Sequence, residues 1–165
     1  MSRKRAIAIQ LLILDVDGVL TDGRLYYGAR GETLKVFHVR DGFGIQQARR
    51  AGIEVAVISG RKSPMVAVRC RELGVGQVIQ GQSDKLVAFQ RLQSRLRIDR
   101  SACACVGDDI PDVPLMRQVG LSFAVADAHP DARSAAHVIT RLAGGRGAVR
   151  EVCDYLLSAR KMAAT

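Results

Sequence analysis

Apolar and polar positions alternate along this chain in two registers. Short, nearly unbroken apolar runs are separated by stretches whose apolar residues recur every three to four positions. Ile7 to Leu14 is apolar at every position but Gln10. Such a run, closed by Asp15 to Gly18, predicts a strand over residues 7–15 with both faces buried, as in a parallel sheet. Ile53 to Ile58, Gln77 to Gln80, Ala102 to Val106, Leu121 to Ala126 and Val138-Ile139 predict five further strands. Between them lie amphipathic segments. One runs from about Arg40 to Arg50 and stops at Gly52, and another from Pro64 to Leu73 stops at Gly74. A third starts at Ser83 and carries Leu86, Phe89, Leu92 and Leu96 on one stripe. A brief helix is expected over residues 112–119. The last helix places Val149, Val152, Cys153, Leu156 and Leu157 on one face, with fraying expected after Ser158.

One segment breaks the alternation. Arg24 to Tyr27 and Thr33 to Phe37 are β-prone arms around Gly28-Ala29-Arg30-Gly31, which predicts a hairpin over residues 24–37. The remaining order of strand and helix predicts an α/β fold, a three-layer Rossmann-like parallel sheet with right-handed crossovers. No linker or internal repeat divides the chain, so residues 1–165 are read as one domain with the hairpin inserted in the first crossover.

Composition narrows the class. The 165 residues are 48% hydrophobic and 25% charged, with 4% aromatic residues and no Trp, so the core is aliphatic. The apolar runs are too short to span a bilayer, and the first ends in acids rather than a cleavage site. These features predict no membrane partner. Cys70, Cys103, Cys105 and Cys153 lack metal-type spacing and are read as buried thiols of a reducing, cytoplasmic setting. The net charge of +9 raises nucleic acid as a partner. The basic residues are scattered, however, and stacking aromatics are few, so anionic small molecules are the better expectation.

The candidate chemistry sits at strand ends, where open α/β sheets place their ligand crevice. The first strand ends in Asp15 and Asp17, the second in Ser59. The third leads through Gly81 to Asp84 into Lys85, and the fourth ends in Gly107-Asp108-Asp109-Ile110-Pro111-Asp112. Together these resemble the four motifs of the haloacid dehalogenase-type phosphatases. The resemblance implies Asp15 as nucleophile and Asp17 as proton shuttle. It implies Mg²⁺ held by Asp15, the Asp17 carbonyl and Asp108, and phosphate bound by Ser59 and Lys85. Asp109 and Asp112 would then orient Lys85 or metal-bound waters. A donor at Asp17 is expected to depend on burial beside another carboxylate.

The gaps between motifs leave room for no cap domain. Finer resemblance lies in His38 to Ile45, Gln80 to Ser83, Val125 to Pro130 and Ala143 to Val152. These stretches are similar to the 3-deoxy-D-manno-octulosonate 8-phosphate phosphatases of lipopolysaccharide precursor synthesis. That likeness implies sugar-acid contacts from His38, Val39, Arg40, Asp41, Gly42, Arg61 and Arg69, and a homotetramer joined through its hairpins. It also implies a mobile Gly144–Gly147 segment lying over a neighbour's site. Some members carry an arginine where this chain has Gln46. Three other readings stay open at this point: a sibling phosphatase for a nonulosonate 9-phosphate, a non-catalytic tetramerisation module, and a receiver domain. The last fits less well, because its paired acids are adjacent and its phosphorylated Asp ends a later strand.

Overall fold

The computed structural model describes residues 2–163; the outermost residues of the expected domain, 1, 164 and 165, lie outside it. The chain opens with helix α1 (Ser2–Ile7) and reaches strand β1 only at Leu11–Leu14. The strand expected over residues 7–15 is therefore half as long. The apolar character of its first half serves a helix end instead: Ala6 and Ile9 are fully buried, while Ile7 faces outward. Hairpin strands β2 (Tyr26–Gly28) and β3 (Gly31–Leu34) follow, turning at Ala29-Arg30 with Gly28 opposite Gly31. Then come α2 (Val39–Arg50), β4 (Glu54–Ser59), α3 (Pro64–Glu72), β5 (Gln77–Gln80) and α4 (Lys85–Leu96). The second half holds β6 (Cys103–Gly107), α5 (Val113–Met116), β7 (Leu121–Ala124), α6 (Pro130–Ala135), β8 (Val138–Ile139) and α7 (Ala148–Ala163).

Six strands form one sheet in the order β5-β4-β1-β6-β7-β8, all parallel. In order of appearance this is 3-2-1-4-5-6, a doubly wound sheet whose winding reverses at β1. Right-handed crossovers put α2 and α3 on one face and α4, α5 and α6 on the other. Helix α7 returns to the first face, where it packs against α2 and α1. The hairpin is a sheet of its own, with no ladder to the main one. Among the described residues it is the one element inserted into the first crossover, in keeping with a fold that has no cap.

Every residue of β1 is buried, so both faces are covered. Phe89 and Phe123 are the bulkiest side chains fully inside, and the rest of the core is aliphatic. All four cysteines are buried and free. Two local expectations fail. Helix α5 stops at Met116 rather than residue 119, and the segment before it, Ile110–Asp112, is a 3₁₀ turn; Pro111 and Pro114 interrupt the region. Helix α7 does not fray after Ser158. Ala159 is buried, and Arg160 donates to the carbonyls of Ile9 and Ala51, each at 2.5 Å.

Candidate active site

Registers within the sheet align the carboxyl ends of three neighbouring strands. Leu14 lies opposite Val57 of β4 and Val106 of β6. Asp15, Ser59 and Asp108 therefore leave the sheet at one edge, beside the strand where the winding reverses. Helix α4 begins close by. Asp84 caps it by accepting from the Val87 amide at 3.0 Å, which makes Lys85 its first residue. A cation at a helix N-terminus opposes the helix dipole. Here two carboxylates offset that: Lys85 Nζ lies 2.8 Å from Asp15 Oδ1 and 2.7 Å from Asp112 Oδ1. All three side chains are buried.

The other oxygen of Asp112 accepts from the amides of Asp108 and Asp109, at 3.1 and 3.2 Å. Asp112 thus fixes the loop after β6 and Lys85 together. Asp109 turns away. It is exposed, and its carboxylate caps the 3₁₀ turn through the Ile110 amide. Gly18 has φ +90°, and a Cβ there would fall 2.0 Å from Asp108 Oδ2; only glycine lets the catalytic loop, residues 15–22 after β1, approach so closely.

Oxygens of Asp15, Asp108 and Asp112 lie within 4.8 Å of one another. Burial, with Asp112 adding to it, pushes the Asp15 carboxyl up to about 6 against the pull of Lys85. Burial and the neighbouring Asp15 and Asp112 push Asp108 up to about 8. Asp108 Oδ1 is buried without a hydrogen-bond partner. Both oxygens of Asp112 are engaged, so Asp15 and Asp108 are the free donors. A crowded, under-partnered pair of carboxylates suits a small hard cation with oxygen preference, and the residues fit Mg²⁺.

Asp17 has different surroundings from those expected. It pairs with Lys35, and with Arg61 at 3.6 Å. Lys35 had no sequence signal: it is a lysine inside an apolar-flanked hairpin arm. Its side chain is 1% exposed, and its ammonium also meets Glu32 at 2.9 Å. Burial pulls its proton affinity down, and the bonds to Asp17 and Glu32 outweigh that and raise it.

The residues expected to touch the sugar acid are divided. Arg61 is at the catalytic loop, and its guanidinium donates to Tyr27 Oη at 3.2 Å. Arg69 pairs with Glu72 at 3.2 Å and packs against Gly42. His38 caps α2 through the Arg40 amide. Val39 is 77% exposed. Asp41 is buried, and Oδ1 accepts from the Arg150 amide at 2.7 Å, so this carboxylate ties α2 to the start of α7. Arg40 borders a groove of about 860 Å³ with Arg141, Arg146 and Arg150. The catalytic carboxylates do not line that groove.

Gly144–Gly147 lies on its own chain. Gly145 donates to the Val19 carbonyl at 2.9 Å, Gly144 to Asp127 Oδ1 at 2.9 Å, and Arg146 pairs with Asp22 at 3.4 Å. Within the chain these contacts make the segment a strap on the loop that carries Asp15 and Asp17. A Cβ at Gly144 would meet the Gly18 carbonyl at 1.7 Å, so the approach requires glycine.

Comparison with known proteins gives one consistent result. Residues 72–151 match the haloacid dehalogenase-like hydrolase family. The chain is 57% identical over 156 residues to the 3-deoxy-D-manno-octulosonate 8-phosphate phosphatase KdsC of Escherichia coli strain K12, covering 94% of this chain and 83% of that protein. The Moraxella catarrhalis phosphatase of that name, solved with magnesium, phosphate and KDO, superposes with a TM-score of 0.94 at 43% identity, over 96% of this chain and 91% of that one. The cobalt-bound Haemophilus influenzae phosphatase gives 0.93 at 42% identity, over 95% and 92%.

Proposed function

We infer the activity from the family: this chain belongs to the 3-deoxy-D-manno-octulosonate 8-phosphate phosphatases, a branch of the haloacid dehalogenase-like hydrolases. It is a Mg²⁺-dependent phosphoric monoester hydrolase that cleaves 3-deoxy-D-manno-octulosonate 8-phosphate to the sugar acid and phosphate, a step that supplies lipopolysaccharide synthesis. The observation that carries this is the buried cluster at the sheet edge, where Asp15 and Asp108 face each other across the point of reversal and Lys85 bridges Asp15 to Asp112.

The residue roles follow from the chemistry. Asp15 attacks phosphorus through one carboxylate oxygen, forming an aspartyl-phosphate as the bond from phosphorus to the sugar oxygen breaks. Asp17 gives its proton to that departing oxygen. Water then attacks the aspartyl-phosphate, Asp17 takes the water's proton, and the bond from phosphorus to Asp15 breaks to release phosphate. When bound between Asp15 and Asp108, with the Asp17 carbonyl as a further ligand, Mg²⁺ supplies positive charge that keeps the nucleophile ionised and screens it from the phosphate. Ser59 and Lys85 hold the non-bridging oxygens. To do so, Lys85 releases Asp15 and keeps Asp112, so the cation stays aimed while its partner reacts. The family resemblance assigns the sugar-acid end to Arg61, Arg69 and the segment His38–Gly42, with Asp41 acting through the backbone it fixes.

Exposed Leu25, Tyr26, Tyr27, Leu34 and Val36 on the hairpin support a homotetramer joined through these apolar surfaces. Buried free thiols support a cytoplasmic setting. No helix among the described residues is long and apolar enough to cross a membrane.

The test is phosphate release from a panel of sugar-acid phosphates with Mg²⁺ and with EDTA. The octulosonate 8-phosphate is expected to be the best substrate, and only with the metal. A nonulosonate 9-phosphate hydrolysed faster overturns the substrate assignment. Silence on the whole panel favours a tetramerisation module.

A further inference from the structure

Around Asp17 the structure holds a ring of four charges that no motif announces. Lys35 Nζ bonds Asp17 Oδ1 on one side and lies 2.9 Å from Glu32 Oε1 on the other. Arg61 spans the same two acids, with Nε 3.6 Å from Asp17 Oδ2 and Nη2 3.8 Å from Glu32 Oε2. Two cations and two carboxylates thus alternate in a closed circuit. Asp17 comes from the catalytic loop and Arg61 from the turn after β4. Glu32 and Lys35 come from the hairpin, and Tyr27, opposite Glu32 in the hairpin ladder, accepts from Arg61.

We propose that Lys35 is a positioning residue for Asp17, and that through it the hairpin fixes where the proton shuttle stands relative to the nucleophile. An exposed ion pair is worth little and would not justify ordering a long side chain. Lys35 is different, since its side chain is 1% exposed and both of its partners are largely covered. Asp17 is not tied down by the cluster of Asp15, Asp108 and Asp112, so its side chain needs another anchor. Proton transfer to a departing oxygen tolerates little misplacement: an error of about 1 Å can cost about a hundredfold. Glu32 completes the arrangement by balancing the second of the two positive charges and holding both cations on the hairpin.

This inference rests on Asp17 acting as the acid, and it makes a selective prediction. A sugar alkoxide leaves badly unless it is protonated, whereas 4-nitrophenolate leaves as a stable anion. kcat/KM reports events through departure of the leaving group, so it leaves out the later hydrolysis of the aspartyl-phosphate. In Lys35→Met, kcat/KM for the sugar-acid phosphate is expected to fall at least about tenfold further than kcat/KM for 4-nitrophenyl phosphate. Lys35→Arg, which keeps the charge and the two-sided reach, is expected to recover much of the difference. Equal losses on both substrates, or no loss on either, overturn the proposal. If Lys35→Met does not fold, Glu32→Gln carries the same comparison: it leaves Lys35 on Asp17 while loosening its anchor, and selective loss is again expected. Uniform or absent loss in Glu32→Gln then overturns the proposal. The unmodified enzyme on the sugar-acid phosphate tests the substrate reading by itself. The variant-to-parent ratio tests Lys35, on another alkyl phosphate if need be, so the two failures are distinguishable.

Discussion

Mg²⁺ binding to this chain should be a proton-release reaction, and the site fixes by how much. Without metal, Asp108 is pushed up to about 8 by burial and by the neighbouring Asp15 and Asp112. At pH 7 such a carboxyl is about nine-tenths protonated, so each bound ion must displace close to one proton. Apparent affinity should rise about tenfold per pH unit between pH 6 and 8 and then level off. Below about pH 6, where Asp15 also takes up its proton, the slope should steepen. The stability sign follows. Both carboxyls bind protons more tightly in the folded chain than in the unfolded one, where they titrate near 3.8. The metal-free fold is thus favoured at low pH and loses stability as pH rises from about 4 to about 8. The cation reverses that loss. Calorimetric titration at pH 7 in two buffers of different protonation enthalpy counts the released proton. Melting of the EDTA-treated and Mg²⁺-loaded protein at pH 5, 6.5 and 8 measures a gap expected to widen with pH. Titration without proton release, together with a gap that stays constant, refutes the assigned metal site.

Three further outcomes are expected. Asp15→Asn should lower phosphate release by more than about a thousandfold while leaving the melting temperature intact, since a buried charge is replaced by an isosteric amide; substantial residual turnover counts against the nucleophile. Asp41→Ala strips the Arg150 amide of its partner and should cost about 1–3 kcal/mol in urea unfolding with an unchanged m value. Gly144→Ala forces a methyl into the Gly18 carbonyl; it should lift the strap, weaken kcat/KM and expose Arg146 to trypsin, and normal activity with normal protease resistance would refute the strap's role.

Much of this arrangement can be read in the residue order. Apolar runs ending in polar groups located five of the six core strands within two residues or so. They also placed Asp15, Ser59, Lys85 and Asp108 at one edge, because a parallel sheet sends the carboxyl ends of its strands the same way. What escaped depended on contacts rather than pattern. Ile7 to Gln10 looks like strand by hydropathy, yet burial of Ala6 and Ile9 against the rest of the fold makes it a helix end. Helix α6 is six residues long and half polar, too short to show a period. Lys35 reads as an ordinary solvated lysine, and only folding of the hairpin over the catalytic loop turns it inward. The reach of residues 143–147 onto Gly18 and Val19 was missed because a glycine run suggests mobility in sequence, while here it permits close backbone packing.

The position of β1 also shapes how the molecule is made. Its four apolar residues leave the ribosome well before their partner β6, which follows roughly ninety residues later. Until then one edge of the future central strand is an unpaired backbone flanked by Leu and Ile, open to mispairing or to chaperones. Asp15 and Asp108 come together only when β6 docks beside β1, so catalytic competence waits on the pairing that joins the two halves of the sheet.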